Sequence, residues 1–379
     1  MKKLIAMLLV LAMAASLVAC SSSSDSSSAA SEESTASTEE STTEESADST
    51  ASADATHIYI LTASEDHGWT GSVATFAKEK AEEVNAEGKY TAEVITSADA
   101  AEQIKNIEDI LAKNEENIAF AIQPIDDTVQ SAIQQIVDAG IPYTAFDRII
   151  DAVSDSAVAN VKGDNSGIGT AAAAYFVSLG MKPGDKVLVL EGDTSSVTTL
   201  RDQGFVDYLL GNAEFEGATI ADADKWTQED IDSAVEYSGA MNWSRSATKD
   251  YFETFLGDSS NADVKWIYAQ DDELSMGVFE ALAGGGIDDT TKDTFLANAP
   301  AITGCGGLGE MYDVIRGDEY ADLTASFSGV CSVTYSPSMI QTTVQDLIDY
   351  LDGKEVAQDH VIACENVVAD NVDNYKSFN

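Results

Sequence analysis

Residues 103–148 read QIKNIEDILAKNEENIAFAIQPIDDTVQSAIQQIVDAGIPYTAFDR. Two compact apolar runs, NIAFAIQP and IPYTAFD, alternate there with stretches of helical spacing, AAEQIKNIEDILAKN and DTVQSAIQQIVDAG. A strand buried on both faces reads as an unbroken apolar run, and a helix returning over the sheet makes the next strand parallel. The stretch therefore predicts a parallel sheet covered by helices on both faces.

The same rhythm extends in both directions. Upstream come IYILTA, SVATFAKEKAEEVNAEG and TAEVITS. Downstream come IGTAAAAYFVSLG, KVLVLEG, TTLRDQGFVDYLLGN, ATIADAD (read as a strand), SRSATKDYFETFLGD, VKWIYAQ, MGVFEALAGGG and PAITG. The expected class is α/β, with two doubly wound parallel-sheet lobes that share architecture without a visible sequence repeat. In open sheets of this kind the ligand crevice lies beyond the carboxyl ends of the strands. The loops there carry Ser64-Glu65-Asp66-His67-Gly68-Trp69, Gln123-Pro124-Ile125-Asp126, Phe146-Asp147-Arg148, Glu191-Gly192-Asp193, Gln270-Asp271-Asp272 and Gly304-Cys305-Gly306. Carboxylates, amides and an arginine beside aromatic rings suit a hydroxyl-rich ligand: the polar groups pair with hydroxyls and ring faces cover C–H patches. Taken alone, Asp147-Arg148 reads equally as a surface ion pair of little worth; its place after IPYTAF favours the crevice.

The chain has 379 residues, 44% of them hydrophobic, and a formal charge of −46 from 20 basic and 66 acidic residues. Such a surface repels phosphate backbones, so nucleic acid is excluded as a partner, and a neutral polar ligand meets less opposition than an anion. Met1-Lys2-Lys3, an apolar run from Leu4 to Ala15 and Leu17-Val18-Ala19-Cys20 form an export signal closed by small residues before a cysteine. That pattern matches the bacterial lipobox and predicts a lipid anchor on Cys20, attaching the protein to the membrane without spanning it. Residues 21–55 are Ser, Thr, Ala, Asp and Glu with no aromatic or basic residue, a composition expected to remain a disordered tether. Without signal and tether the folded part still keeps 57 acids against 18 basic residues.

Three further cysteines, Cys305, Cys331 and Cys364, show no framework spacing; one disulfide with a free thiol and three separate buried thiols both remain open. His57, His67 and His360 do not cluster with them, so no metal and no cofactor are expected. Gly304-Cys305-Gly306-Gly307-Leu308-Gly309 has the G-x-G-x-x-G spacing of a dinucleotide turn. The acid required at the end of the following strand is missing from LTASFSGV, so the glycines instead serve close backbone approach or helix packing.

From residue 103 onward, and over roughly His57 to Phe378, the chain resembles the periplasmic sugar-binding proteins of the ribose/galactose type, the solute receptors of ABC importers. The resemblance rests on the stretch quoted first, then on VKGDNSGIGTAAAAYF, VLEGDTSSVTTLRDQGF, WIYAQDDELSMGVFEAL and ENVVADNVDNYKSF in order. It implies a type I two-lobed fold with a three-segment hinge. The first lobe would comprise 56–164 plus 332–359 and the second 165–331 plus 360–379, after a signal at 1–19 and a tether at 20–55. It implies further that Asp66, His67 and Trp69 contact the ligand from the first lobe and that Asp147 and Arg148 grip adjacent hydroxyls. Arg201, Trp243 and Asp271 would contribute from the second lobe, and Tyr335 from the hinge. Two departures stand out: Gly304-Cys305-Gly306-Gly307 replaces a turn that commonly carries a sugar-binding Asp, and Asp271 stands where relatives commonly have Asn. The implied function is a monomeric binding lipoprotein that takes a small neutral sugar or polyol and serves an ABC permease. A receptor for a sensor system is the alternative. An anchored glycoside hydrolase finds no nucleophile elbow, zinc motif or Ser/His/Asp arrangement to support it.

Overall fold

The computed structural model describes residues 55–64 and 68–378. Cys20, the export signal and the tether up to residue 54 lie outside the described residues, as do the candidate site residues Asp66 and His67. The chain begins with β1 (His57–Ala63), α1 (Gly68–Glu87), β2 (Thr91–Ser97), α2 (Ala100–Ala112), β3 (Ile118–Ile122), α3 (Gln130–Asp138), β4 (Tyr143–Phe146), α4 (Asp151–Ser154) and β5 (Ala159–Gly163). A second run follows: α5 (Asn165–Ser178), β6 (Val187–Glu191), α6 (Ser196–Leu210), α7 (Gln228–Ala234), β7 (Val235–Ala240), α8 (Arg245–Gly257), β8 (Trp266–Ala269), α9 (Asp272–Ala283), α10 (Asp289–Ala297), β9 (Ala301–Gly306), α11 (Gly309–Arg316), α12 (Ala321–Thr324) and β10 (Gly329–Thr334). It closes with α13 (Met339–Leu351), β11 (Asp359–Ile362) and β12 (Asn366–Val367).

The described residues form two six-stranded sheets, ordered β11-β5-β4-β3-β1-β2 and β12-β10-β9-β8-β6-β7. Every pairing is parallel except β12 on β10. Alternation along each strand feeds two layers. In the first lobe Tyr59, Leu61, Phe120 and Ile122 pack against Ile107, Ile133 and Ile136 of α2 and α3. Ile58, Ile60, Ala119 and Ala121 face α1 and α13 through Val73, Ala77, Ile340 and Val344. The second lobe repeats the scheme, with Val189, Trp266 and Tyr268 on one face and Leu188, Ile267 and Ile302 on the other.

The chain passes between lobes after Gly163, after Thr334 and after Ile362. The last two points each lie three residues beyond the boundaries drawn from sequence, because β10 keeps pairing with β9 to Thr334 and β11 pairs with β5 along its whole length. The strand expected at ATIADAD does not form. That segment buries Ile220 and, just after it, Trp226, while Asp222 faces solvent and the half-buried Asp224 pairs with Lys182. The sheet edge is taken instead by VEYSGA of β7, whose exposed pattern carries no apolar run to announce it. Cys305, Cys331 and Cys364 are free thiols.

Helices α5 and α6 meet at two glycines. A Cβ on Gly169 would lie 1.9 Å from the Arg201 carbonyl oxygen, and one on Gly204 would lie 1.9 Å from that of Ser166. Helix propensity alone makes Gly→Ala favourable by about 1 kcal/mol. The backbone clash reverses the sign, so Gly204→Ala should lower the unfolding free energy by about 1–3 kcal/mol in denaturant titration; a gain in stability would disprove this close packing.

Candidate functional site

The strand order reverses between β1 and β3 in the first sheet and between β6 and β8 in the second. Such switch points part the loops above them and open a crevice. The two crevices face each other across one cleft of about 540 Å³, within the range of small-molecule sites. Trp69, Asp147, Arg148, Arg201, Trp243, Asp271 and Tyr335 all line it.

Asp147 follows β4 with a left-handed backbone, φ 65°. Its carboxylate accepts from the Tyr335 hydroxyl at 2.5 Å and from Gln123 Nε2 at 3.2 Å. Arg148 donates to the Ile125 carbonyl and reaches across the cleft to within 3.9 Å of Asp193 in the second lobe. Asp193 carries a carboxyl that burial pushes up, yet hydrogen bonds from Ser195 and Trp243 and the Arg148 charge hold it below the ordinary value.

Arg201 is 4% exposed. Its Nε donates to Asn165 at 3.1 Å, one terminal nitrogen donates to the Gln270 carbonyl, and its guanidinium lies over the rings of Trp243 and Tyr335 at 5.3 and 5.1 Å. Trp243 is placed by two consecutive left-handed residues, Asn242 and Trp243 at φ 53° and 55°, and by Gly192, where a Cβ would fall 2.0 Å from the indole. Tyr335 sits at the second crossing with its ring on Gly163, whose Cβ would lie 2.3 Å away. Trp69 donates its indole N–H to the Tyr335 carbonyl at 2.8 Å and lies 5.4 Å from the Tyr335 ring. Trp69, Tyr335, Arg201 and Trp243 thus form one stack from the first lobe through the hinge to the second.

The glycine turn after β9 holds an anion, but one supplied by the chain itself. Gly306 and Gly307 have φ of 138° and 100°, and the N–H groups of Gly307 and Leu308 donate to Asp272 Oδ2 at 2.7 and 2.9 Å. The Ser332 hydroxyl completes the cradle at 2.8 Å. Such a backbone nest is a phosphate-binding device in other settings; here it is filled, and the floor toward the cleft is Cys305 and Gly306. Burial pushes the Cys305 thiol up, so it meets the cleft uncharged.

Several participants were quoted in strand-end loops without being singled out. Gln123 and Gln270, 3% and 0% exposed, are equivalent. Gln123 Oε1 accepts from Ala63 N and its amide donates to Asp147; Gln270 Oε1 accepts from Gly192 N and its amide donates to Asp202. The available signal was a glutamine directly after the third strand of each lobe, in AIQP and YAQD. Among the described residues no group of His, Cys, Asp and Glu is arranged to hold a metal, and no helix is long and apolar enough to cross a membrane.

Burial, then the charge of neighbouring Asp272, pushes Asp271 up to about 7, while burial raises Asp272 to about 6 against the hydrogen bonds it accepts. Carboxyls raised in the folded state bind protons that the unfolded chain, with Asp near 4, has already released. Their contribution is full below about pH 4 and is lost as pH rises toward 7. Denaturation of Asp271→Asn between pH 4.5 and 7.5 should show a shallower fall in stability than the wild type; equal slopes would rule out a raised Asp271.

Fold and site together define a bilobal α/β protein with a solute-sized cleft lined from both lobes and from the hinge. The chain belongs to the periplasmic binding protein domain family, whose model matches residues 58–355. Among characterised proteins it is 25% identical over 252 residues to the fructose import binding protein of Bifidobacterium longum, covering 65% of each chain, so it spans just under two thirds of that relative. It is also 25% identical to the D-apiose import binding protein of Actinobacillus succinogenes, over 64% of this chain and 71% of that one. Among solved structures it superposes on an ABC transporter solute-binding protein of Actinobacillus succinogenes with bound D-allose (TM-score 0.63, 17% identity, 84% of this chain and 100% of the other). A solute-binding protein of Bacillus halodurans with bound myo-inositol matches as well (TM-score 0.63, 19% identity, 85% and 98%).

Proposed function

We propose that this protein is the extracytoplasmic solute receptor of an ABC importer and that its cleft takes a monosaccharide or small polyol. The observation that carries the reading is the opposition of Asp147-Arg148 on one lobe to Arg201 and Trp243 on the other, around a single cleft. A polyol held by both sets makes contacts in the closed form that neither lobe offers alone, so the solute draws the population toward closure. The ligands of similar proteins, fructose and D-apiose in name and D-allose and myo-inositol in structures, support this solute class. On this reading the closed shape is what a permease recognises. A diacylated Cys20 and the acidic tether would keep the receptor near that partner at high effective concentration. The Cys305-Gly306 floor offers no carboxylate, and Asp271 supplies one from the adjoining loop.

A thermal-shift screen of the mature chain against D-fructose, D-allose, D-galactose, D-ribose and myo-inositol tests the proposal. At a thousandfold excess over Kd one of them should add about 4 kcal/mol of stability and leave the incubation unchanged. Arg148→Ala should abolish the shift with little effect on the ligand-free melting temperature. A screen without any saturable shift, or an Arg148→Ala protein of full affinity, would sink the reading.

A further inference from the structure

The glycine turn after β9 is gripped from two sides. One grip is the Asp272 carboxylate already described. The other is Phe378, which lies outside the cleft lining. Its N–H donates to the Gly307 carbonyl at 3.0 Å, its carbonyl accepts from Gly309 N at 2.7 Å, and Leu308 and Phe378 pair as an isolated parallel bridge. Gly309 opens α11, and a first-turn N–H finds no acceptor within its own helix. Leu308 at the N-cap has no side-chain acceptor to offer, so the Phe378 carbonyl takes that place.

The ring adds a second restraint. Phe378 is 9% exposed and belongs to the core that holds Leu308, Met311 and Tyr312. A Cβ at Gly306 would lie 3.7 Å from the ring and one at Gly307 3.9 Å, so the ring lies against both glycines at contact distance. A glycine holds a left-handed conformation only where its surroundings impose it, since no side chain restricts the alternatives. The segment that presents Phe378 is itself anchored. Asp373 accepts from Arg316 Nε at 3.0 Å, and the Tyr375 hydroxyl donates to Glu365. Glu365 follows the third crossing and exchanges two hydrogen bonds with Thr334 at the second, both of 2.9 Å. Phe378 thus bears on the turn from a support rooted in two of the three hinge segments.

We infer that Phe378 is a positioning residue for the cleft: it holds the Cys305-Gly306 floor in shape from behind, and releasing it opens the floor while the rest of the second lobe stays folded. The consequence for solute affinity rests on the receptor reading above; the opening of the floor does not.

Labelling of the ligand-free mature chain with N-ethylmaleimide, mapped by peptide mass, tests this, because the cysteines sit in different places. Cys305 in the floor is 1% exposed, Cys331 within β10 is 0% exposed, and Cys364 is half-buried. Phe378→Ala should speed the labelling of Cys305 about tenfold, through local opening, and leave Cys331 as slow as in the wild type. Phe378→Leu, which keeps an apolar cover over the glycines, should restore slow labelling of Cys305. An unchanged Cys305 rate in Phe378→Ala, or a parallel rise at Cys331, would overturn the inference. Toward the solute selected by the screen above, Phe378→Ala should raise Kd about fivefold through lost preorganisation, with Phe378→Leu close to the wild type. A reactive Cys305 without loss of affinity would refute the positioning role. Should Phe378→Ala fail to fold, hydrogen exchange of the wild type decides: the Phe378 and Gly309 amides must be protected to the same degree, and a Phe378 amide that exchanges at its intrinsic rate refutes the grip. A failed solute screen with the labelling pattern intact would remove the receptor reading and leave Phe378 as the support of the floor.

Discussion

A parallel sheet leaves backbone groups without ladder partners at its switch point, where the first and third strands part company, and the cleft is built on how this chain fills that gap. In each lobe the third strand's last backbone bond comes from a glutamine, Gln123 N to the Leu61 carbonyl and Gln270 N to the Leu190 carbonyl. The side chain of the same glutamine then takes the next free N–H on the first strand, at Ala63 or Gly192. A buried N–H left open would cost about 1–3 kcal/mol. The amide end points onward to Asp147 in one lobe and Asp202 in the other. One device thus closes the sheet and orients the first acid above it.

From there the lobes diverge. In the first, the oriented acid lines the cleft and is met by the hinge tyrosine, so Asp147 is held by two neutral donors, the Gln123 amide and the Tyr335 hydroxyl. In the second, the equivalent acid, Asp202, lies outside the cleft lining, and the cationic residue of the cleft is Arg201. Taking a guanidinium out of water is expensive unless its donors and faces are matched. Asn165, the Gln270 carbonyl and two aromatic rings supply the match. Because Tyr335 provides one of those rings and also bonds Asp147, a movement of either lobe is felt at the same side chain.

The architecture was legible wherever burial forces an apolar run. IAFAI and YTAF are buried at every position, and their alternation with helices is enough to write down a doubly wound sheet. Arg148, placed by a strand end, could be located from spacing alone, whereas Trp243 and Tyr335 were grouped with it only through family resemblance. Edge strand β7 escaped notice because an exposed edge needs no apolar run, and ATIADAD misled because a single buried isoleucine in a loop can imitate a strand. Gln123 and Gln270 escaped for a different reason. Their side chains bond residues 24 to 78 positions away, and such pairings leave no periodic trace.

The glycine turn shows how spacing can indicate a device without indicating its use. A G-x-G-x-x-G segment after a strand does create inward-pointing N–H groups that favour an anion. Here Gly304 leaves room for Asp272, whose Oδ1 would sit 2.3 Å from any Cβ at that position, and Gly307 and Leu308 direct their N–H groups at it. The anion is therefore internal, bridged by Ser332 to β10, and the turn ties α9 to the two strands nearest the hinge. An acid drawn inward in this way leaves only a thiol and a glycine lining the cleft from β9, while Asp271, Arg201 and Trp243 line it from neighbouring elements of the same lobe.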